Sequence, residues 1–169
     1  LDGSVRLATV LELAEQQGVH LPADTPEGLA KAIHMGEVCA SLEDYLTAFD
    51  VTLAVLQTEE ALYRTAYELA LDAAAENVRY LEVRYSPVLH TRKGLKPTSI
   101  VDAVLAGLRA ARRETGIESN VIICGIRHID PTTSVRLAEL AVAYKGKGVV
   151  GFDLAGAEEG HPARRHRDA

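Results

Sequence analysis

The chain has 169 residues, 47% of them hydrophobic and 25% charged, and a formal net charge of −6. That length can bury one good-sized core, and the composition is ordinary for a soluble globular domain. The acidic balance argues against nucleic acid or an anionic membrane as partner, because both need basic patches. No stretch approaches the roughly 18 apolar residues of a membrane span, and no signal peptide is visible, so a cytoplasmic setting is the default. Cys39 and Cys124 stand far apart with no Cys-x-x-Cys, which argues against a disulfide framework or a thiolate zinc site.

The first half reads as helical. Ser4 is placed to cap a helix running to about Gln17, with Leu7, Val10, Leu11 and Ala14 on one face and Gly18 ending it. Thr25-Pro26-Glu27 is a second start signal: a cap, a proline at the first helical position and an acid in the first turn. Ser41-Leu42-Glu43-Asp44 resembles a capping box and opens a short helix carrying Leu42, Tyr45, Leu46 and Phe49. An Ala- and Leu-rich helix follows from about Thr58 to Glu76.

The pattern then changes to strand–helix alternation. Val78 to Tyr85, Val121 to Arg127 and Val149 to Leu154 read as strands. Between them lie helices from Ser99 to Thr115 and from Thr133 to Lys145, ended by Gly116 and Gly146. This order implies parallel strands with helices outside them. A complete (β/α)8 barrel needs about 250 residues. The expected fold is therefore α/β: part of a TIM barrel, a helical N-terminal half followed by strand–helix alternation. Residues 1–169 form one domain, the N-terminal and central part of a barrel cut at both ends.

Side chains alternate along a strand. Tyr80, Glu82, Arg84 and Ser86 share one face of the first strand, and Leu81, Val83 and Tyr85 the other. In the second strand Val121, Ile123, Gly125 and Arg127 share a face, and in the third Val149, Gly151 and Asp153 do. The apolar face of the first strand belongs against outer helices. Glu82, Arg84, Arg127 and Asp153 are then expected to form one polar network inside the barrel, since unpaired buried charges are costly. That network either braces the barrel mouth or touches substrate. The active face of such barrels lies at these strand ends.

Four segments carry a resemblance: Leu1-Asp2-Gly3-Ser4, the Ser41-to-Phe49 helix, Tyr80-Leu81-Glu82-Val83-Arg84-Tyr85-Ser86-Pro87 with Ile126-Arg127-His128, and Asp153-Leu154-Ala155-Gly156. In this order they resemble the adenosine deaminase family, over nearly the whole chain. The resemblance implies a zinc-containing (β/α)8 barrel that hydrolyses adenosine, and 2′-deoxyadenosine, to inosine and ammonia, with zinc-activated water attacking C6 of the purine. It implies that Asp2 hydrogen-bonds the ribose and that the Gly156 N–H meets a purine ring nitrogen. It also implies that Leu42, Tyr45, Leu46 and Phe49 form an apolar flap over the purine. Read from the residues alone, Asp2 is an acid at a helix N-terminus, Gly156 a turn glycine and the flap a core-facing amphipathic helix.

In the family, Leu-Asp-Gly-Ser follows a metal-binding His-x-His pair, and the remaining metal and catalytic groups follow the Asp-Leu-Ala-Gly strand. Residues 1–169 hold neither set, so the zinc ligands are expected outside them and these residues alone are expected to be inactive. His20, His34, His90, His128, His161 and His166 show no His-x-His or i, i+4 pair. The His-x-Glu and Pro-Cys-x-x-Cys patterns of cytidine-type deaminases are absent. The expected partner is a small purine nucleoside. The alternatives are an adenine deaminase, against which Asp2 argues, and a non-catalytic nucleoside-binding relative.

Overall fold

The computed structural model describes residues 1–33, 46 and 48–169. Asp2–Ser4 form a single 3-10 turn, and the first helix, α1, runs Leu7–Gln17. Arg6 occupies its N-cap without a side-chain bond, so Ser4 is not the cap the sequence suggested. The C-terminal signal holds: Gly18 adopts a left-handed conformation and its N–H returns to the Ala14 and Glu15 carbonyls. Helix α2 (Pro26–Ile33) begins as expected, with Thr25 Oγ1 accepting from the Gly28 N–H at 3.1 Å. The Ser41 capping box, Leu42 and Tyr45 lie outside the described residues.

Helix α3 (Phe49–Val55) was not read from the sequence, which ends its short helix at Phe49. Helix α4 (Glu59–Ala75) starts at Thr58, whose hydroxyl accepts from the Ala61 N–H at 3.2 Å. Strand β1 (Tyr80–Tyr85), helix α5 (Pro97–Thr115), strand β2 (Glu118–Ile126), helix α6 (Pro131–Ala143) and strand β3 (Val149–Ala155) complete the alternation. The strands pair in parallel in the order β1-β2-β3. This is an arc of a (β/α)8 barrel, with helices on the outer side of the sheet.

The core lies between the sheet and those helices. Val83 and Tyr85 of β1 and Val121 and Ile123 of β2 are buried there with Ile100, Val104 and Leu108 of α5. Burial of such side chains contributes about 1.5–3 kcal/mol each, as an upper estimate. Helices α4 and α5 cross closely at Gly107, where an added Cβ would lie 2.2 Å from the Tyr63 carbonyl oxygen.

The strand faces differ from expectation in β2. Tyr80, Glu82 and Arg84 do lie on the exposed inner face of β1. Gly125, however, faces outward, since a Cβ there would meet Ser134 of α6 at 2.6 Å. Val121, Ile123 and Gly125 therefore face the helices, and Cys124 and Ile126 point to the inner side. Both faces of β2 are apolar, so alternation alone could not choose between them. Arg127 lies past the strand end, where strand parity no longer applies.

Candidate functional site

The C-terminal ends of the three strands, the 3-10 turn at the chain start and α3 surround one cavity of ≈ 550 Å³. Asp2, Leu46, Phe49, Arg84, Cys124 and Gly156 are among its lining residues. Strand order explains the convergence, because parallel strands bring all their C-terminal ends to one rim. The Leu1 nitrogen donates to the Arg84 carbonyl at 3.0 Å, which sets the Asp2 turn on the end of β1. Ser86 donates to the Cys124 carbonyl at 2.6 Å and ties the end of β1 to β2.

The expected ligand-binding groups thus meet although they lie at opposite ends of the sequence. Phe49 packs over Gly3, where an added Cβ would be 3.1 Å from its ring. With Leu46 it supplies an apolar wall. Gly156 has φ +97, and a Cβ there would lie 3.2 Å from Ile126 and 3.3 Å from His128 Nδ1. Glycine is required by both conformation and space.

The polar groups divide into separate pairs rather than one network. Arg84 pairs with Asp153 across the sheet, on the inner face. Glu82 accepts instead from the Tyr80 hydroxyl at 2.6 Å. Arg127 turns away to Glu158, at 2.9 Å, and to the His161 carbonyl. The physical reason is the one given for β2: Arg127 leaves the strand and follows the loop that folds back from β3.

Burial pushes the Cys124 thiol up to about 11. It is a neutral thiol near pH 7, which disfavours a nucleophilic role. Among the described residues, no three His, Cys, Asp or Glu side chains gather to hold a metal ion. The described residues by themselves therefore do not make a zinc site. Nor is any described helix long and apolar enough to cross a membrane.

Sequence reasoning missed His90. It sits in the 3-10 turn Pro87–His90 and is fully buried, 3.1 Å from Asp2 Oδ1 through Nε2. No motif marks it, since the contact spans 88 positions and depends on the fold. Gln57 was missed for the same reason. Its amide donates to the Leu53 and Leu89 carbonyls at 2.7 and 3.0 Å and accepts from the Arg92 N–H at 2.9 Å.

A family model described as adenosine deaminase matches residues 1–169. Over the whole chain, a probable adenosine deaminase of Dictyostelium discoideum is 46% identical, the match covering 22% of that protein. An adenosine deaminase of Enterococcus faecalis is 43% identical over 99% of the chain and 50% of its own length. The chain thus spans half or less of these relatives. Among solved structures, an amidohydrolase from Burkholderia ambifaria with bound zinc matches 99% of the chain and 46% of its own, at 27% identity and a TM-score of 0.86. An Arabidopsis protein complexed with GMP matches 95% of the chain and 47% of its own, at 26% identity and a TM-score of 0.75. An adenine deaminase from Arthrobacter aurescens shares the fold, with a TM-score of 0.85 at 24% identity over 99% of the chain and 50% of its own.

Proposed function

As the chain belongs to the adenosine deaminase family, we propose that the protein carrying it hydrolyses adenosine, or 2′-deoxyadenosine, to inosine and ammonia. One observation carries this reading. Asp2, Gly156 and the Leu46–Phe49 wall, from three distant parts of the sequence, line a single cavity.

Each group has a task suited to its chemistry. The Asp2 carboxylate accepts from a ribose hydroxyl. A glycine at position 156 lets the purine edge approach the backbone, so the N–H reaches a ring nitrogen. Leu46 and Phe49 cover the apolar faces of the base and exclude water. The Arg84–Asp153 pair holds the inner face of the sheet at the cavity rim. Zinc enters this proposal only as a group held by residues beyond these 169, and none of the tasks above depends on it.

A nucleoside is favoured over free adenine because the Asp2 carboxylate in the cavity wall offers an acceptor suited to a sugar hydroxyl, which free adenine lacks. Purified full-length protein carrying this chain is expected to release ammonia from adenosine with a higher kcat/KM than from adenine or AMP. Asp2→Ala should cost about 10- to 150-fold in kcat/KM on adenosine, the equivalent of a hydrogen bond to a charged group. The loss should be much smaller on the deoxyadenosine that lacks the bonded hydroxyl. A preference for adenine or AMP, or equal losses on both nucleosides, would reject this assignment.

A further inference from the structure

We propose that His90 is a positioning residue that sets the Asp2 carboxylate for its ligand contact, an inference that rests on the reading of Asp2 given above. The ring is fully buried and its two nitrogens face two oxygen acceptors. Nδ1 lies 2.8 Å from the Leu56 carbonyl, which can only accept, so Nδ1 carries a proton. Nε2 lies 3.1 Å from Asp2 Oδ1. A bond between Nε2 and the carboxylate then requires Nε2 to be the donor.

The approach is close but misaligned. Both Nε2 and Oδ1 are buried and neither completes a hydrogen bond among the described residues. Leaving two buried polar atoms unpaired at that separation is unfavourable, so a small rotation of Asp2 that aligns them is favoured. Oδ1 is then fixed from behind, and the other carboxylate oxygen is left for the cavity.

The support for His90 is rigid. Its turn is pinned by Gln57, which bonds Leu89 and Arg92 on one side and Leu53 on the other. The ring also packs against Tyr85, with centroids 5.9 Å apart. A ring held on several sides cannot swing away when the carboxylate moves, which is what a positioning group requires.

The test uses the full-length enzyme as wild type, Asp2→Ala, His90→Leu and the double variant. For each, kcat and KM are measured with adenosine and with 2′-, 3′- and 5′-deoxyadenosine, beside thermal melting. The readout is the ratio of kcat/KM for adenosine to that for the deoxy analogue wild type rejects most. His90→Leu should lower this ratio roughly 3- to 10-fold, a part of the loss expected of Asp2→Ala, since the carboxylate remains but is no longer held. It should lower it no further in the Asp2→Ala background.

A purely structural His90 would lower the melting temperature and slow both substrates alike, leaving the ratio unchanged. That result overturns the proposal. If His90→Leu fails to fold, His90→Phe, which keeps a ring but has no donor, is measured in its place, and an unchanged ratio again overturns the proposal. An Asp2→Ala ratio equal to wild type rejects the ribose contact itself. A changed Asp2→Ala ratio beside an unchanged His90 ratio rejects only the positioning role.

Discussion

At Gly156 both conformation and space favour a side chain that is a single hydrogen atom. The residue has φ +97, a region that side-chain-bearing residues rarely adopt. A Cβ would also press on Ile126 and His128 at 3.2–3.3 Å. Strain of this kind costs about 1–3 kcal/mol. Relief would have to come from moving the loop after β3, which carries the N–H proposed to meet the purine. Gly156→Ala in the full-length enzyme is therefore expected to lower kcat/KM for adenosine by about 10- to 100-fold, if that strain is relieved at the expense of the contact. It should also remove discrimination between adenosine and the deaza analogue that lacks the contacted nitrogen. Steady-state kinetics on the two substrates check this, and a variant that discriminates as well as wild type would leave Gly156 a turn residue only. Residues such as Asp2 and Gly156 are legible in the sequence because they sit inside short ordered runs. His90 is not, because its role comes from a contact 88 positions away that only the folded chain creates.

The crossing of α4 and α5 depends on Gly107 in the middle of a 19-residue helix. Glycine is a poor helix former, by about 1 kcal/mol relative to alanine. On propensity alone Gly107→Ala would stabilise. Packing reverses the sign, since the new methyl would stand 2.2 Å from the Tyr63 carbonyl and 3.0 Å from the Tyr67 nitrogen. Both are backbone atoms, so the helices must separate. Overpacking of this kind costs about 1–3 kcal/mol. The melting temperature of the full-length enzyme should fall by several degrees, and a rise would show that the helices part without cost. The same competition between local and tertiary preference explains what the sequence concealed. The helices α2, α4 and α5 and all three strands were legible from caps, glycine stops and apolar runs. The facing of β2 was not, because Val121 to Ile126 is apolar on both sides, and only the packing of α6 against Gly125 decides it. The 3-10 turn after Leu1 was misread because Ser4 has the chemistry of a cap without being used as one.

Among the described residues, the sheet of three parallel strands leaves β1 and β3 each with one neighbour. Parallel sheets are ordinarily buried on both faces, yet here Tyr80 and Val150 are each 52% exposed and Val142 of α6 is 72% exposed. Strand edges with apolar neighbours are templates for pairing with another chain. A polypeptide of residues 1–169 produced alone is therefore expected to self-associate at micromolar concentration. It is also expected to bind no stoichiometric zinc and to show no turnover of adenosine, since the described residues gather no metal-binding cluster. Light scattering after size exclusion, zinc analysis and an adenosine absorbance assay check the three statements separately. Val150→Lys should shift the population toward monomer, because charge at an exposed strand edge opposes pairing. A sharp cooperative melt from a monodisperse monomer would contradict the edge argument and show that 1–169 is a self-sufficient domain. Stoichiometric zinc with turnover would instead require that ligands be assembled from these residues alone.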